Sequence, residues 1–156
     1  MSVTVAGVWR TTASVEAIWE VVSDLDSWRE WWPALRQVHP RGEVQRDVPS
    51  AADLVFETVI GSLTVPVAIG PVVGGQLLEV SGDGGGFAGR GSLRVSDADD
   101  GAEVAYRVEL RTTKFWLKPI ETVLRSASGT AGQRRLRQAG DRLAELAGGE
   151  PRDHDV

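Results

Sequence analysis

Few side chains in this 156-residue chain are suited to acid–base or nucleophilic chemistry near neutral pH. The chain has no cysteine, which excludes a thiolate nucleophile and a thiolate metal site. Its two histidines, His39 and His154, are too few for a histidine-rich metal site, and we expect no metal. His39 is the one realistic general base, because an unperturbed imidazole titrates near neutrality. A lone histidine beside Pro40 is more often a surface residue, however, and His154 falls in a polar tail.

The only tyrosine, Tyr106, is the second candidate for chemistry. It belongs to an alternating stretch from Glu103 to Thr112 and lies on the face that we predict to be inward. A buried phenol needs a hydrogen-bond partner, and a phenol that faced a cavity could orient or protonate a ligand carbonyl. The alternative is a core tyrosine whose hydroxyl binds to backbone. Thr58 shares a predicted inward face with Phe56 and is a similar candidate.

Aromatic residues cluster in the first quarter of the chain. Trp28, Trp31 and Trp32 fall on one face of a short predicted helix. They could form the walls of a site for a flat, conjugated ligand, because aromatic faces stack well. The alternative is that they belong to the hydrophobic core together with Trp19. We expect two of the three to be core residues and one to lie at the mouth of a cavity.

Arginines on the last predicted strands could bind an acidic ligand if they pointed inward. They alternate with apolar residues, however, and this pattern places them on the outer face, where we expect solvated side chains. The same pattern places Glu57 outside. The arginines are Arg90, Arg94, Arg107 and Arg111.

The element that must position these residues is a helix predicted over residues 115–147. Apolar residues recur there at the three-and-four spacing of a helix that buries one continuous stripe. Trp116, Ile120 and Leu124 are the residues of this helix that we expect to line a ligand site. Small residues fill its middle, from Ser126 to Gly132. One interpretation is that they enlarge the cavity or bend the helix over a ligand. The other is that they mark a break in the helix or a close packing contact.

The rest of the chain alternates and turns in the manner of an antiparallel sheet. We predict a first strand, a helix capped at Thr12 or Ser14, and a second short helix that opens with a Ser27-x-x-Glu30 capping box. Seven strands with these helices predict an α+β domain over residues 1–147, and residues 148–156 are predicted to be a disordered tail. The predicted strands are Val3–Thr11, Leu35–Val44, Asp53–Ile60, Leu63–Ile69, Gln76–Ser81, Phe87–Val95 and Glu103–Thr112.

The composition excludes several classes of function. The net charge of −5 and the pI near 5.1 argue against a nucleic-acid partner. No segment is long and apolar enough for integral membrane association, and the first ten residues do not resemble a signal peptide. We therefore expect a cytoplasmic protein.

Two stretches resemble a known family. Residues 13–38, ASVEAIWEVVSDLDSWREWWPALRQV, resemble the helix pair of the bacterial polyketide cyclase/dehydrase-like group in the START/Bet v 1-like (SRPBCC) superfamily. GRGSLRV and EVAYRVELRTTKFW resemble the last two strands of that group as they enter the final helix. The resemblance implies a helix-grip fold, in which a curved antiparallel sheet of about seven strands wraps around a long C-terminal helix. It also implies a deep, mainly apolar cavity between sheet and helix, with no cofactor.

The resulting expectation is that the chain binds a hydrophobic small molecule, of an aromatic, polyketide-like or lipid kind, in that cavity. An alternative is a polyketide cyclase or dehydratase acting on a poly-β-keto chain, with Tyr106 as a weak catalytic candidate. A second alternative is a protein-interaction module with a filled cavity. The sequence leaves the oligomeric state open, including a homodimer. The expected lining is Trp28, Trp31, Trp32, Phe56, Thr58, Tyr106, Trp116, Ile120 and Leu124.

Overall fold

The computed structural model describes residues 2–45, 48–58, 61–84, 86–113 and 129–156. A strand, two short helices, six further strands and a final helix follow one another in these ranges. They are β1 (Ser2–Thr11), α1 (Val15–Ser23), α2 (Trp28–Trp31), β2 (Leu35–Gln45), β3 (Val48–Thr58), β4 (Gly61–Val73), β5 (Leu77–Gly84), β6 (Phe87–Ala98), β7 (Gly101–Thr112) and α3 (Thr130–Leu146).

The strands form one antiparallel sheet in the order β1-β7-β6-β5-β4-β3-β2. The first strand closes onto the last, and the others follow as hairpin neighbours. Pro40 lies on β2, at the open edge of the sheet, where a missing backbone N–H is tolerated. This curled sheet with short helices after its first strand and a C-terminal helix is the helix-grip fold, so the predicted fold class is confirmed.

One face of the sheet carries the core and contacts the helices, and we call it the inner face. Cross-strand partners share a face, so the register places Trp9, Val104 and Val95 on it in one row. These three side chains are buried. The buried residues Ile18 and Val22 of α1 belong to the same core cluster. The alternation predicted for Glu103–Thr112 is confirmed, since its arginines point outward and are exposed.

One predicted turn is wrong. Gly61 and Ser62 were expected to connect two strands, but they are the first residues of β4 and pair with Thr58 and Glu57 of β3. Gly61 has a φ of 115°, a conformation that is accessible to glycine. This glycine therefore marks the start of β4.

The two early helices begin differently from one another. Ser14 caps α1 as predicted, because its hydroxyl oxygen accepts a hydrogen bond from the Ala17 N–H at 3.1 Å. The prediction of a capping box at Ser27 is wrong. A 3₁₀ turn over Leu25–Ser27 precedes α2, so the Ser27 hydroxyl donates backwards to the carbonyls of Val21 and Asp24 at 2.8 and 2.7 Å.

The final helix is not continuous from residue 115. Helix α3 begins at Thr130, and the residue before it, Gly129, has an extended backbone with φ −81° and ψ 179°. The break therefore falls within the stretch of small residues, as one of the two alternatives predicted, because glycine loses most entropy in a helix interior. The first half of the predicted helix lies outside the described residues. None of the described helices is long and apolar enough to cross a membrane.

The expectation of a disordered C-terminal tail differs from the structure. Helix α3 ends in a Schellman motif, in which the N–H groups of Gly148 and Gly149 donate to the carbonyls of Glu145 and Ala144. Residues 150–156, which we call the C-terminal strap, then run antiparallel to β1. Bridges join the strap residues Pro151 and Asp155 to β1. The polar composition of residues 150–156 suggested disorder. Their hydrogen bonds with β1 are made by backbone groups, however, and side-chain composition does not predict such bonds.

Candidate functional site

Tyr106 is buried on the inner face, as its place in the alternation predicted. Its side chain is 2% exposed. Its ring stacks on the indole of Trp9, with ring centroids 4.2 Å apart and planes inclined by 26°. The register places it opposite Gly7 of β1 and Leu93 of β6. The phenol is therefore fixed by its neighbours on both sides.

The hydroxyl of Tyr106 is buried and has no hydrogen-bond partner among the described residues. A Cβ atom on Gly7 would lie 2.5 Å from this hydroxyl and 2.5 Å from the carbonyl oxygen of Asp155 in the strap. The absent side chain of Gly7 thus makes room for the phenol next to the strap. Burial, and secondarily the negative charge of Asp155, raises the pKa of Tyr106 to about 12. The phenol keeps its proton at neutral pH and can act as a hydrogen-bond donor.

Two of the three clustered tryptophans are core residues. Trp28 and Trp31 are 6% and 3% exposed. The Trp28 indole N–H donates to the Val22 carbonyl at 2.8 Å, and that of Trp31 contacts the Ser27 hydroxyl at 3.4 Å. Trp32 is only half-buried and packs against the edge of this core. It is the one of the three that can meet a ligand without rearrangement.

Trp9 is the aromatic residue that joins these parts, and sequence reasoning missed its role. It is 2% exposed, and its indole N–H donates to the carbonyl of Leu136 in α3 at 2.9 Å. Trp31 and Trp32 meet it edge-on, with ring centroids 5.8 and 6.0 Å away. The alternation of β1, which places Trp9 on the same face as Val3 and Val5, was the signal available in the sequence. It indicates the face of the sheet on which Trp9 lies, but not the residues that Trp9 contacts.

The inner face remains partly exposed beyond the tryptophans. Its apolar side chains there are half-buried although they lie in the middle of strands. Glycines help to keep this region open, since Gly91 and Gly82 occupy inner-face positions of β6 and β5 without side chains. A Cβ on Gly82 would meet the carbonyl oxygen of Pro66 at 2.8 Å, so the strands also approach closely. The half-buried apolar residues are Val5, Phe56, Val65, Val80, Val108 and Leu110.

Some predicted lining residues remain predictions. Phe56 is half-buried on the inner face, opposite Leu63 of β4. Thr58 is the last residue of β3. Trp116, Ile120 and Leu124 lie outside the described residues.

The remaining polar candidates lie on the outer surface. His39 is exposed, and its Nε2 atom is 3.0 Å from the Gln37 amide oxygen. The guanidinium groups of Arg90 and Arg107 both bind the Glu109 carboxylate and hold its pKa below the usual range. In the part of the chain that the structure describes, no three His, Asp or Glu residues are grouped to hold a metal ion.

His154 was dismissed as a tail residue, and the structure corrects this. Its side chain is 4% exposed. The Arg10 N–H donates to its Nδ1 atom at 3.0 Å, so that atom is unprotonated and Nε2 carries the proton. Nε2 then donates to the Asp141 carboxylate of α3 at 2.9 Å. His154 thus links the strap to α3, which is 13 positions away at Asp141, and to β1, which is 144 positions away at Arg10 and shares no local signal with it.

A cleft of about 430 Å³ lies elsewhere, between the start of α1 and the β4–β5 turn. It is open to solvent, and its walls combine Val15 and Val95 with charged side chains of Arg94 and Asp97. This cleft does not match the deep apolar cavity that the resemblance implied. The deep cavity remains a prediction.

Solved structures share this fold at low sequence identity. An aromatase/cyclase, Zhui from Streptomyces sp. R1128, superposes with a TM-score of 0.71 at 13% identity, over 95% of this chain and 94% of that one. A START superfamily protein from Mycobacterium smegmatis gives 0.66 at 17% identity, over 95% and 96%. Norcoclaurine synthase from Thalictrum flavum, in complex with dopamine and hydroxybenzaldehyde, gives 0.61 at 16% identity, over 94% and 86%.

Sequence comparison identifies the family. No curated protein matches the chain significantly. The profile of one family, described as "Polyketide cyclase / dehydrase and lipid transport", matches residues 2–148, which is nearly the whole chain. This range includes the inner face, the tryptophan cluster and α3, and it ends just before the strap. The chain therefore belongs to the polyketide cyclase/dehydrase and lipid transport family.

Proposed function

We propose that this protein binds a hydrophobic small molecule of an aromatic, polyketide-like or lipid kind on the inner face of its sheet. The observation that supports this best is the row of half-buried apolar side chains beyond the tryptophans, which includes Phe56, Val80 and Val108. Half-buried apolar surface on a concave face is what an apolar ligand covers when it binds. Membership of the family favours the same role.

The proposed site has an aromatic end and a polar group. Trp32 supplies a half-buried aromatic side chain, and the neutral phenol of Tyr106 supplies a hydrogen-bond donor. A few polar groups in an apolar pocket orient the ligand, so a ligand with an acceptor oxygen suits this site. Thr58, Trp116, Ile120 and Leu124 complete the proposed lining, while Trp28 and Trp31 act behind it as core.

Native mass spectrometry of freshly purified protein tests binding directly. An occupied site gives an excess mass of a few hundred daltons, which is lost on denaturation and identifies the ligand class.

The probe for apo protein is the apolar dye 8-anilinonaphthalene-1-sulfonate. Dye binding should be weakened by Val80→Trp on the inner face and unchanged by Ser81→Trp, whose side chain points outward on the same strand. Equal effects of both substitutions, or a protein that binds no apolar probe, would contradict the proposal and favour an interaction module.

A second candidate function is a polyketide cyclase or dehydratase. The observation that favours it is the protonated, buried phenol of Tyr106, which could donate to a carbonyl of a folded poly-β-keto chain. Holding the chain in a reactive pose would supply much of the acceleration. With a synthetic poly-β-ketone, Tyr106→Phe should abolish turnover but retain binding. Unchanged turnover would remove Tyr106 from the mechanism.

A further inference from the structure

We propose that the C-terminal strap, residues 150–156, is a releasable cover over the hydroxyl of Tyr106. In the closed state it hides the phenol from solvent, and in the open state it makes the phenol accessible from the β1 edge of the sheet. Use of the open hydroxyl by a ligand rests on the proposed function, whereas the covering itself does not.

The position of the strap supports the first part of this proposal. The Tyr106 hydroxyl and the Asp155 carbonyl oxygen lie on either side of the empty Cβ position of Gly7, each 2.5 Å from it. The strap is therefore the neighbour of the phenol at the edge of the sheet. The hydroxyl forms no hydrogen bond with the strap or with the other described residues. The hydroxyl is thus buried beside the strap, and no described group replaces the hydrogen bonds that water would make.

Glycines lie where β1 and α3 come close to the strap. On β1, Gly7 leaves room for Tyr106 and Asp155. On α3, a Cβ at Gly140 would lie 2.5 Å from Cδ1 of Trp9 and 2.8 Å from Nε2 of His154, so this glycine makes room for both side chains. Just before the strap, a Cβ at Gly149 would lie 2.5 Å from the Ala13 nitrogen. Gly7 and Gly140 therefore permit a close approach of the strap to β1 and α3, and Gly149 permits the segment before the strap to approach Ala13.

The bonds that hold the strap are of a kind that water can replace. Most are backbone bonds with β1, including Val8 N–H to the Asp155 carbonyl at 2.6 Å, Asp155 N–H to the Val8 carbonyl at 2.9 Å and Arg152 N–H to the Arg10 carbonyl at 2.8 Å. Backbone groups exposed by release would bind water instead, so the net loss is small. The strap pairs with β1 outside the order of the seven strands, so its release breaks none of the pairs between those strands.

His154 supplies the polar side-chain contacts of the strap to β1 and α3. Most strap side chains are exposed, but Val156 packs partly buried against the core, and the His154 imidazole is buried and binds both the Arg10 N–H and the Asp141 carboxylate. Asp141 is a residue of α3, so this one side chain ties the strap to the helix as well as to the sheet. Loss of the imidazole should therefore weaken the closed state while β1 and α3 remain in place.

Nitration by tetranitromethane tests the proposal, because Tyr106 is the only tyrosine and any nitrotyrosine must come from it. The intact protein should react slowly at mildly alkaline pH. A chain ending at Gly149, which retains the Schellman motif, should react at least about tenfold faster, since local opening governs access to a buried group. His154→Ala should give an intermediate rate, and His39→Ala, at the exposed histidine, should match the intact protein.

Truncation at Gly149 also removes Asp155, whose negative charge disfavours the reactive tyrosinate form of Tyr106. Asp155→Asn is therefore the electrostatic control. This variant retains the strap and should accelerate nitration much less than truncation does. Rates are measured without ligand, on the monomer fraction, with far-UV circular dichroism to verify folding. A folded truncated protein that reacts no faster than the intact one would overturn the proposal. If truncation prevents folding, an unchanged rate in His154→Ala would overturn it. Dye binding is measured separately, so failure of the ligand site and failure of the strap are distinguishable.

Discussion

Replacement of Tyr106 by phenylalanine should stabilise the protein. A buried tyrosine hydroxyl that is hydrogen-bonded usually stabilises a fold, but this hydroxyl has no partner among the described residues. An unsatisfied buried polar group costs about 1–3 kcal/mol. The phenylalanine ring can retain the stacking on Trp9, because the ring centroids are 4.2 Å apart and only the hydroxyl is lost.

The expected gain is therefore about 1–2 kcal/mol in the free energy of unfolding, because the space left by the lost hydroxyl offsets part of the penalty. For a chain of this length, 1 kcal/mol corresponds to roughly 2–4 °C in Tm, so Tyr106→Phe should raise Tm by about 2–8 °C. Chemical denaturation and calorimetry measure these two quantities independently. The slope of the denaturation curve should not change, since the surface exposed on unfolding is nearly the same.

Thr11→Val is the matched control. Thr11 is also a buried hydroxyl residue next to the strap, but its Oγ1 atom accepts a hydrogen bond from the Ala13 N–H at 3.0 Å. Its removal should destabilise the protein by about 1–2 kcal/mol, because the Ala13 N–H is left unpaired. If Tyr106→Phe destabilised the protein to the same degree, the phenol would have a partner in solution. The reasoning about an unsatisfied hydroxyl would then be refuted.

Two further predictions follow from the same residues. The unfolded chain loses the tyrosine proton near pH 10 and the folded protein near pH 12, so stability should fall by up to about 3 kcal/mol as the pH rises from 10 to 12. The comparison with Tyr106→Phe isolates this effect in pH-dependent denaturation, and an equal fall in both proteins would contradict it. Trp9→Phe should destabilise the protein by about 2–4 kcal/mol, because the hydrogen bond to the Leu136 carbonyl and the contacts with Trp31 are lost. If Trp9→Phe lowered the free energy of unfolding by less than about 0.5 kcal/mol in the same assay, a central role of Trp9 in the core would be contradicted.

The sheet was predictable from sequence because alternation is a local signal. The stretch Glu103–Thr112 alternates so regularly that its two faces and its outward arginines follow from the two-residue period. The burial of Trp28 and Trp31 agrees with the expectation of two core residues, while a cavity mouth at the third tryptophan remains a prediction.

Other features were not predictable because they depend on contacts between distant residues. His154 and Arg10 are 144 positions apart, and no local sequence pattern predicts the hydrogen bond between them. The helical period likewise continues through Gly129, although its backbone is extended, since periodicity reports apolar positions and not the conformation of a glycine between them. The capping-box prediction at Ser27 failed because its hydroxyl donates instead to the carbonyls of Val21 in α1 and of Asp24.

The unpartnered phenol connects stability with function. A side chain that served packing on Trp9 alone would be better as phenylalanine, which stacks equally well and buries no unsatisfied group. The hydroxyl therefore reduces stability in the ligand-free, closed protein, and such costs tend to occur at functional sites. A ligand oxygen, or water admitted when the strap opens, would supply the missing hydrogen bond. Binding and strap release would then be favoured by the same group, so a ligand that engages Tyr106 should increase the fraction of protein in which the strap is open.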